Sequence, residues 1–181
     1  GSALAANATA AMAFGTTTIA SASAMMTWIF FDRINGRKIS ALGACIGAVV
    51  GLVAITPGCG YVSIAESIFI GFISAIVSNM AVNWKKLKSV DDTLDVFACH
   101  GIGGIMGMIL TAIFARGENA SLLHGGVGVF AHHMTALLLV SVFTFFGALV
   151  IYKITDFIIP LRVEETSEEL GLDISQHNES I

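Results

Sequence analysis

The sequence predicts an all-α, polytopic transmembrane helix bundle of about five spans, preceded by an N-terminal helix stub. Three observations carry that expectation. Of 181 residues, 55% are hydrophobic and only 12% charged, against about 25% charged in an ordinary soluble domain. The apolar residues come in long blocks: no Asp, Glu, Lys or Arg occurs in 1–31, 39–65, 67–84, 96–115 or 119–152, and 18 or more such residues are enough for a candidate span. The few charges are also sorted by position. With spans at 7–31, 40–56, 64–84, 93–114 and 134–159, Arg33, Arg37, Lys38, Lys85, Lys86, Lys88, Lys153 and Arg162 fall at one face and Arg116 alone at the other. The positive-inside rule makes the basic face cytoplasmic. The N-terminal end is then expected outside and the C-terminus inside. Residues 1–162 form the expected membrane domain and 163–181 an acidic tail. The net charge of −4 therefore says little about partners.

The first span is rich in hydroxyls: Thr9, Thr16, Thr17, Thr18, Ser21, Ser23 and Thr27 are suited to interhelical hydrogen bonding. Trp28, near its cytoplasmic end, and Trp84, ending the third span, read as interfacial anchors. "GACIGAVVG" sets Gly43, Gly47 and Gly51 four residues apart along one stripe of the second span, so that a neighbouring backbone can approach closely. "TPGCGY" then breaks the helix after Thr56. Such irregular backbone is tolerated at membrane depth only under protein or water.

The fourth span opens on "DDTLDVFACHGIGGIMG". A helix start at Asp92 or Thr93 is expected, with Asp92 as N-cap and Asp95 near the positive end of the helix dipole. Gly103 and Gly107 repeat the four-residue packing spacing. His100 lies roughly 10 Å along that helix and, on regular α geometry, on or near the face of these glycines. An ionisable ring inside a span is a functional candidate. It either hydrogen-bonds a backbone carbonyl in the core or lines a path, where dry surroundings favour its neutral form and leave one ring nitrogen to donate and the other to accept. His132 and His133 are expected on the outer side just before the last span, His124 in the outer loop and His177 in the tail.

Cys45, Cys59 and Cys99 form no C-x-x-C pair and read as small buried residues. The sequence offers no nucleophile–base pair, metal-ligand set or phosphate loop, which disfavours an enzyme and implies neither a cofactor nor a nucleic-acid partner. With no initiator Met and no signal-peptide pattern, the chain reads as the C-terminal portion of a longer membrane protein.

The opening of the fourth span resembles the signature of the ammonium transporter (Amt/Mep/Rh) family, where an Asp-rich helix start leads to a pore histidine followed by Gly. "GSALAANATAAMAF" is similar to the end of the sixth and start of the seventh family helix, and "LGACIGAVVGLVAITPGCGYV" to the eighth helix and its outer turn. "LRVEETSEELGLDISQHNES" resembles the family's cytoplasmic tail, with Asn178 where Gly is usual. The resemblance implies an eleven-helix fold of two inverted five-helix repeats, with a path through each protomer of a homotrimer; this chain would supply the second half. It implies ammonium or ammonia as the transported species, with methylammonium as an analogue, and a PII-type nitrogen-regulatory protein as a partner at the tail. By the same resemblance His100 is the second of two pore histidines, Ser2 an outer recruitment residue and Thr56 a residue beside the path. Asp92 and Asp95 match the acids of the tenth helix. The first pore histidine, the outer aromatic cage and the gating phenylalanines lie on helices this chain lacks, so it should not conduct alone. An ammonium sensor of the same fold is the alternative reading.

Overall fold

The computed structural model describes residues 5–87, 92, 94–116, 121–124 and 126–179. Every regular element among them is helical: α1 (Ala8–Ile34), α2 (Ala41–Ile55), α3 (Ile64–Leu87), a π-helical segment (Phe97–Ile102) continuing into α4 (Gly103–Phe114), a short 3-10 turn (Leu122–His124), α5 (Val127–Ile158), α6 (Glu165–Leu170) and α7 (Leu172–His177). Ile64–Trp84, Phe97–Phe114 and Val127–Ile158 are long and apolar enough to cross a membrane. Helix α2 is apolar but only 15 residues long, and α1 spans 27 residues diluted by Ser and Thr. The expected N-terminal stub falls on residues 1–4, outside the described residues, and on Ala5–Asn7, which are bends.

Two boundaries differ from expectation. The last helix begins at Val127, not 134, so His132 and His133 lie inside its first turns instead of ahead of it. The fourth begins at Val96, not Asp92 or Thr93, because Asp95 takes a left-handed backbone (φ 54) that no regular helix accommodates.

The chain divides into two compact units, Gly1–Leu137 and Leu138–Ile181. In the first, side-chain contacts fix the directions of four helices. Gly43, Gly47 and Gly51 of α2 face Trp28, Ala24 and Ala20 of α1 in reverse order, so the two run antiparallel. Gly15 meets Ile64 and Ala20 meets Gly71, so α3 runs parallel to α1; Gly103 meets Val50 and Val53, Gly107 meets Ala54 and Thr111 meets Gly58, so α4 runs parallel to α2. This up-and-down course brings Arg33, Arg37 and Lys38 to the same end as the C-terminus of α3.

Packing depends on missing Cβ atoms. One added to Gly51 would sit 2.5 Å from the Ala20 carbonyl oxygen and 2.7 Å from Ser21 Cα; one on Gly47 would sit 2.6 Å from Trp28 Cβ. Gly71 of α3 also lies against the Ala20 carbonyl, and Gly107 against that of Ala54. Three helix crossings thus approach at backbone distance, where dispersion replaces the hydrophobic drive that lipid removes. Around them lie two apolar clusters, one with Ala20, Ala54, Ile55, Cys59, Ile70 and Leu110, the other with Trp28, Val50, Ala75, Val82, Ala98 and Cys99. Trp28 is only 4% exposed and is a core residue, not the interfacial anchor expected from its position. Trp84, 61% exposed, fits the anchor reading. Cys59 and Cys99 are buried and Cys45 is exposed.

The ends of this unit are tied by polar side chains. At the basic end Asp32 Oδ1 accepts from Arg37 Nε (2.8 Å) and Asn79 Nδ2 (3.0 Å), while Arg37 Nη2 donates to Asn79 Oδ1 (2.6 Å). At the other end Glu66 closes a capping box, accepting from Ser63 N (2.6 Å), and also pairs with Arg116 (2.6 Å), whose backbone N–H donates to the Tyr61 carbonyl (2.8 Å). Thr16 Oγ1 donates to the Cys59 carbonyl (2.5 Å), satisfying one backbone acceptor of the "TPGCGY" turn.

In the second unit the α5 surface is apolar and exposed, with Phe143 79% and Phe157 92% exposed. Beyond it Arg162 forms a two-pronged ion pair with Glu168 (2.9 and 3.0 Å), and Ser175 Oγ donates to the Ser167 carbonyl (3.2 Å), joining α7 to α6.

Candidate functional site

The candidate site is built on the segment between Asp92 and Gly107. Asp92 accepts from Val96 N (2.9 Å) and Phe97 N (3.0 Å), covering helix-start donors that have no intrahelical partner. Between them Asp95 turns left-handed; its N–H donates to the Asp92 carbonyl (2.9 Å) and its carbonyl accepts from Cys99 N (2.9 Å). Asp is among the few residues that visit this conformation without large cost. The helix that leaves this turn is wound as a π-helix through Phe97–Ile102 before tightening to α at Gly103. Single π turns are rare and concentrate at functional sites.

That winding decides where His100 points. Ala98 and Cys99 are buried against the core, whereas the adjacent His100 is exposed. Gly103 and Gly107 are buried against α2 and α3, with Val50, Val53 and Ser78 near Gly103 and Ala54 at Gly107. The histidine and the glycines therefore occupy different faces, contrary to the expectation drawn from regular spacing. A π turn takes one extra residue per turn, so each residue within it rotates less than the roughly 100° of an α-helix, and His100, inside it, leaves the face that regular spacing assigns it. The ring makes no hydrogen bond among the described residues, so no backbone carbonyl among them holds it. Beside it, the Phe97 ring folds over Gly101, where a Cβ would sit 3.0 Å from a ring carbon.

Thr56 caps α2 and donates its hydroxyl to the Leu52 carbonyl (2.7 Å). From the α2–α4 pairing it lies level with the later part of α4, roughly 13 Å beyond His100 along the axis; no hydrogen bond joins the two. Ser2 lies outside the described residues. No His/Cys/Asp/Glu cluster among the described residues could hold a metal ion.

Several side chains went unremarked in the sequence. The Asp32–Arg37–Asn79 cluster is scattered over 47 residues and has no local pattern. Ser63-x-x-Glu66 was legible as a capping box. His124 Nδ1 lies 3.1 Å from Ser121 Oγ, whose hydroxyl proton is already directed to the Ile113 carbonyl (2.7 Å); Nδ1 is therefore the donor in that contact. Glu66 holds the Arg116 guanidinium above its ordinary value through hydrogen bonding and then charge.

Comparison with known proteins bears on this geometry. A family model described as the Ammonium Transporter Family matches residues 1–181. The chain is 40% identical over 185 residues to an ammonium transporter of Bacillus subtilis, covering 99% of this chain and 46% of that protein. It is 37% identical over 182 residues to ammonium transporter Amt1 of Archaeoglobus fulgidus, again covering 99% and 46%. The chain thus spans about half the length of the curated relatives it matches. Its structure is similar to the crystal structure of Candida albicans Mep2, with a TM-score of 0.82 and 30% identity over 89% of this chain and 38% of that one. It is also similar to a sensor Amt protein, with a TM-score of 0.82 and 26% identity over 96% and 44%.

Proposed function

The chain belongs to the ammonium transporter family, and we propose that it contributes the His100 wall of a path through which ammonium crosses the membrane. The observation that carries this reading is the placement of His100. An ionisable ring at membrane depth is turned by a π-helical segment away from the core of its own chain and left without a hydrogen-bond partner among the described residues.

The chemistry follows from that placement. Ammonium and potassium are alike in size and charge, so a ring of acceptors separates them poorly. Desolvating either bare ion in an apolar passage is costly. Ammonium alone can give up a proton and continue as neutral ammonia. A neutral imidazole meets that species well, because it offers an acceptor to an N–H and a donor to a nitrogen lone pair. Ser2 and Thr56 are proposed at the outer side of this path, Ser2 receiving the cation and Thr56 beside its course. Asp92 and Asp95 shape the turn that aims His100.

Residues 1–162 would act as the transmembrane part, with the N-terminal end outside and the tail, 163–181, in the cytoplasm. Homotrimer assembly and docking of a PII-type regulator at the tail belong to the same proposal, as does the absence of enzymatic chemistry.

The similarity to a sensor Amt protein gives the competing reading. Labelled methylammonium uptake into proteoliposomes containing the complete polypeptide, under excess potassium, separates the two. Uptake above empty liposomes is expected. Saturable ammonium binding without uptake would replace the transporter reading with the sensor reading.

A further inference from the structure

Ser74 and Ser78 stand one turn apart on α3, and both are fully buried. Neither hydroxyl has a hydrogen-bond partner among the described residues. We propose that the two serines together hold a single water molecule in the seam between α3 and α4. The proposal needs only this fold and does not rest on transport.

Other helix hydroxyls satisfy themselves on their own backbone. Thr27 donates to the Ser23 carbonyl, Thr56 to that of Leu52 and Ser67 to that of Ile64, each at 2.7 Å. Ser74 and Ser78 depart from that habit in the interior of the unit, where an unpaired hydroxyl is costly. Two such groups on one face point to a shared ligand. Thr111 Oγ1 is also unpartnered, but it packs at Gly58 and lies outside this site.

Geometry sets the size of the ligand. Side chains four residues apart on a helix face have Cβ atoms about 5–6 Å apart, and one oxygen at about 2.8 Å from each hydroxyl spans that interval. The Ile70 and Ser74 carbonyls, one turn before each serine, add acceptors within reach of the same face. A buried water takes two to four such polar partners. The neighbours set its charge. A Cβ built on Gly103 would lie 3.6 Å from Ser78 Oγ and from Val53, and 3.8 Å from Val50. With no carboxylate among these neighbours to balance a cation, the ligand is neutral, and it must both donate and accept, as the hydroxyls do. The position carries a consequence as well. At Gly103 the π-helical segment tightens to α, and the Gly103 N–H donates to the His100 carbonyl. The water therefore braces α3 beside the winding junction that follows His100.

The test pairs a crystal structure of the complete polypeptide, grown without ammonium salts and at a resolution that shows buried water, with a double-substitution cycle. A density peak within hydrogen-bond distance of both Oγ atoms is expected, and it should be lost in the Ser74→Ala/Ser78→Ala protein. In unfolding by denaturing detergent, each single substitution strands the other hydroxyl. The midpoint shift of the double variant should therefore be smaller than the sum of the two single shifts. Serine to alanine favours the helix, so all three variants are expected to fold. Each hydroxyl turned onto its own helix carbonyl with no peak between them overturns the proposal, as do additive midpoint shifts. A peak that appears only after ammonium is added would give the site to ammonia and overturn the assignment of water.

Discussion

Gly51 and Gly103 both read as packing glycines in the sequence, but the structure assigns them opposite responses to the same substitution. A Cβ at Gly51 would lie 2.5 Å from the Ala20 oxygen, 2.7 Å from Ser21 Cα and 2.8 Å from Ala24 Cβ. The first is about 0.9 Å short of the 3.4 Å at which ordinary contact begins, and two of the three atoms are backbone, so no rotamer change relieves the clash. Helices α1 and α2 must part, losing dispersion along the seam. Overpacking of this kind costs about 1–3 kcal/mol, offset by about 1 kcal/mol from replacing glycine with alanine in a helix. A net loss of up to about 2 kcal/mol is expected. At Gly103 the nearest atoms are side-chain atoms at 3.6 Å, so alanine fits and the propensity gain stands alone. Reversible unfolding of the complete polypeptide in mixed micelles by increasing denaturing detergent gives both values. Equal midpoints for Gly51→Ala and Gly103→Ala would refute the packing argument.

Other perturbations follow from the polar ties. Asp32→Ala leaves Asn79, 1% exposed, without its acceptor, and should cost about 1–3 kcal/mol in the same unfolding assay; adding Asn79→Ala should cost much less than the sum of the two. Arg116→Ala removes the clasp between α3 and the end of α4, so limited proteolysis should cut the residues after Phe114 faster, while Glu66→Gln combined with it should add little. In the tail, Arg162 holds the Glu168 carboxyl below its ordinary value, chiefly by hydrogen bonding. A depressed folded value means that this tie is complete above the unfolded carboxylate value and disappears as pH falls through the folded one. Protection of residues 165–170 against hydrogen exchange, taken relative to the intrinsic rate at each pH, should therefore fall on acidification through that range, and Glu168→Gln should flatten the dependence.

The spans were legible because charge is so costly in lipid that its absence marks them directly. The close-packed glycines were legible because four-residue spacing survives in any regular helix. What escaped the sequence was local winding. Asp95 reads as an ordinary first-turn acid until its backbone is seen to be left-handed, and no periodicity announces the π turn that separates His100 from Gly103. Trp28 was misplaced for a related reason: nearness to a span's end fixes depth, while its facing side depends on Gly47, a partner that only the tertiary contact identifies. The early start of α5 was missed because two histidines look like loop when the neighbours that accommodate them are unknown. At the candidate site, His100 was identifiable as a residue and through its family motif, whereas its uncovered orientation required the backbone.

The most direct measurement is the ratio of ammonium-evoked to potassium-evoked current in proteoliposomes of the complete polypeptide, for wild type and His100→Ala. If His100 lines a path that passes ammonia and a separated proton, the wild type should respond to ammonium and not to potassium. His100→Ala should then lose ammonium current or admit potassium. A His100→Ala variant with unaltered rate and unaltered discrimination would contradict the account and return His100 to a packing role.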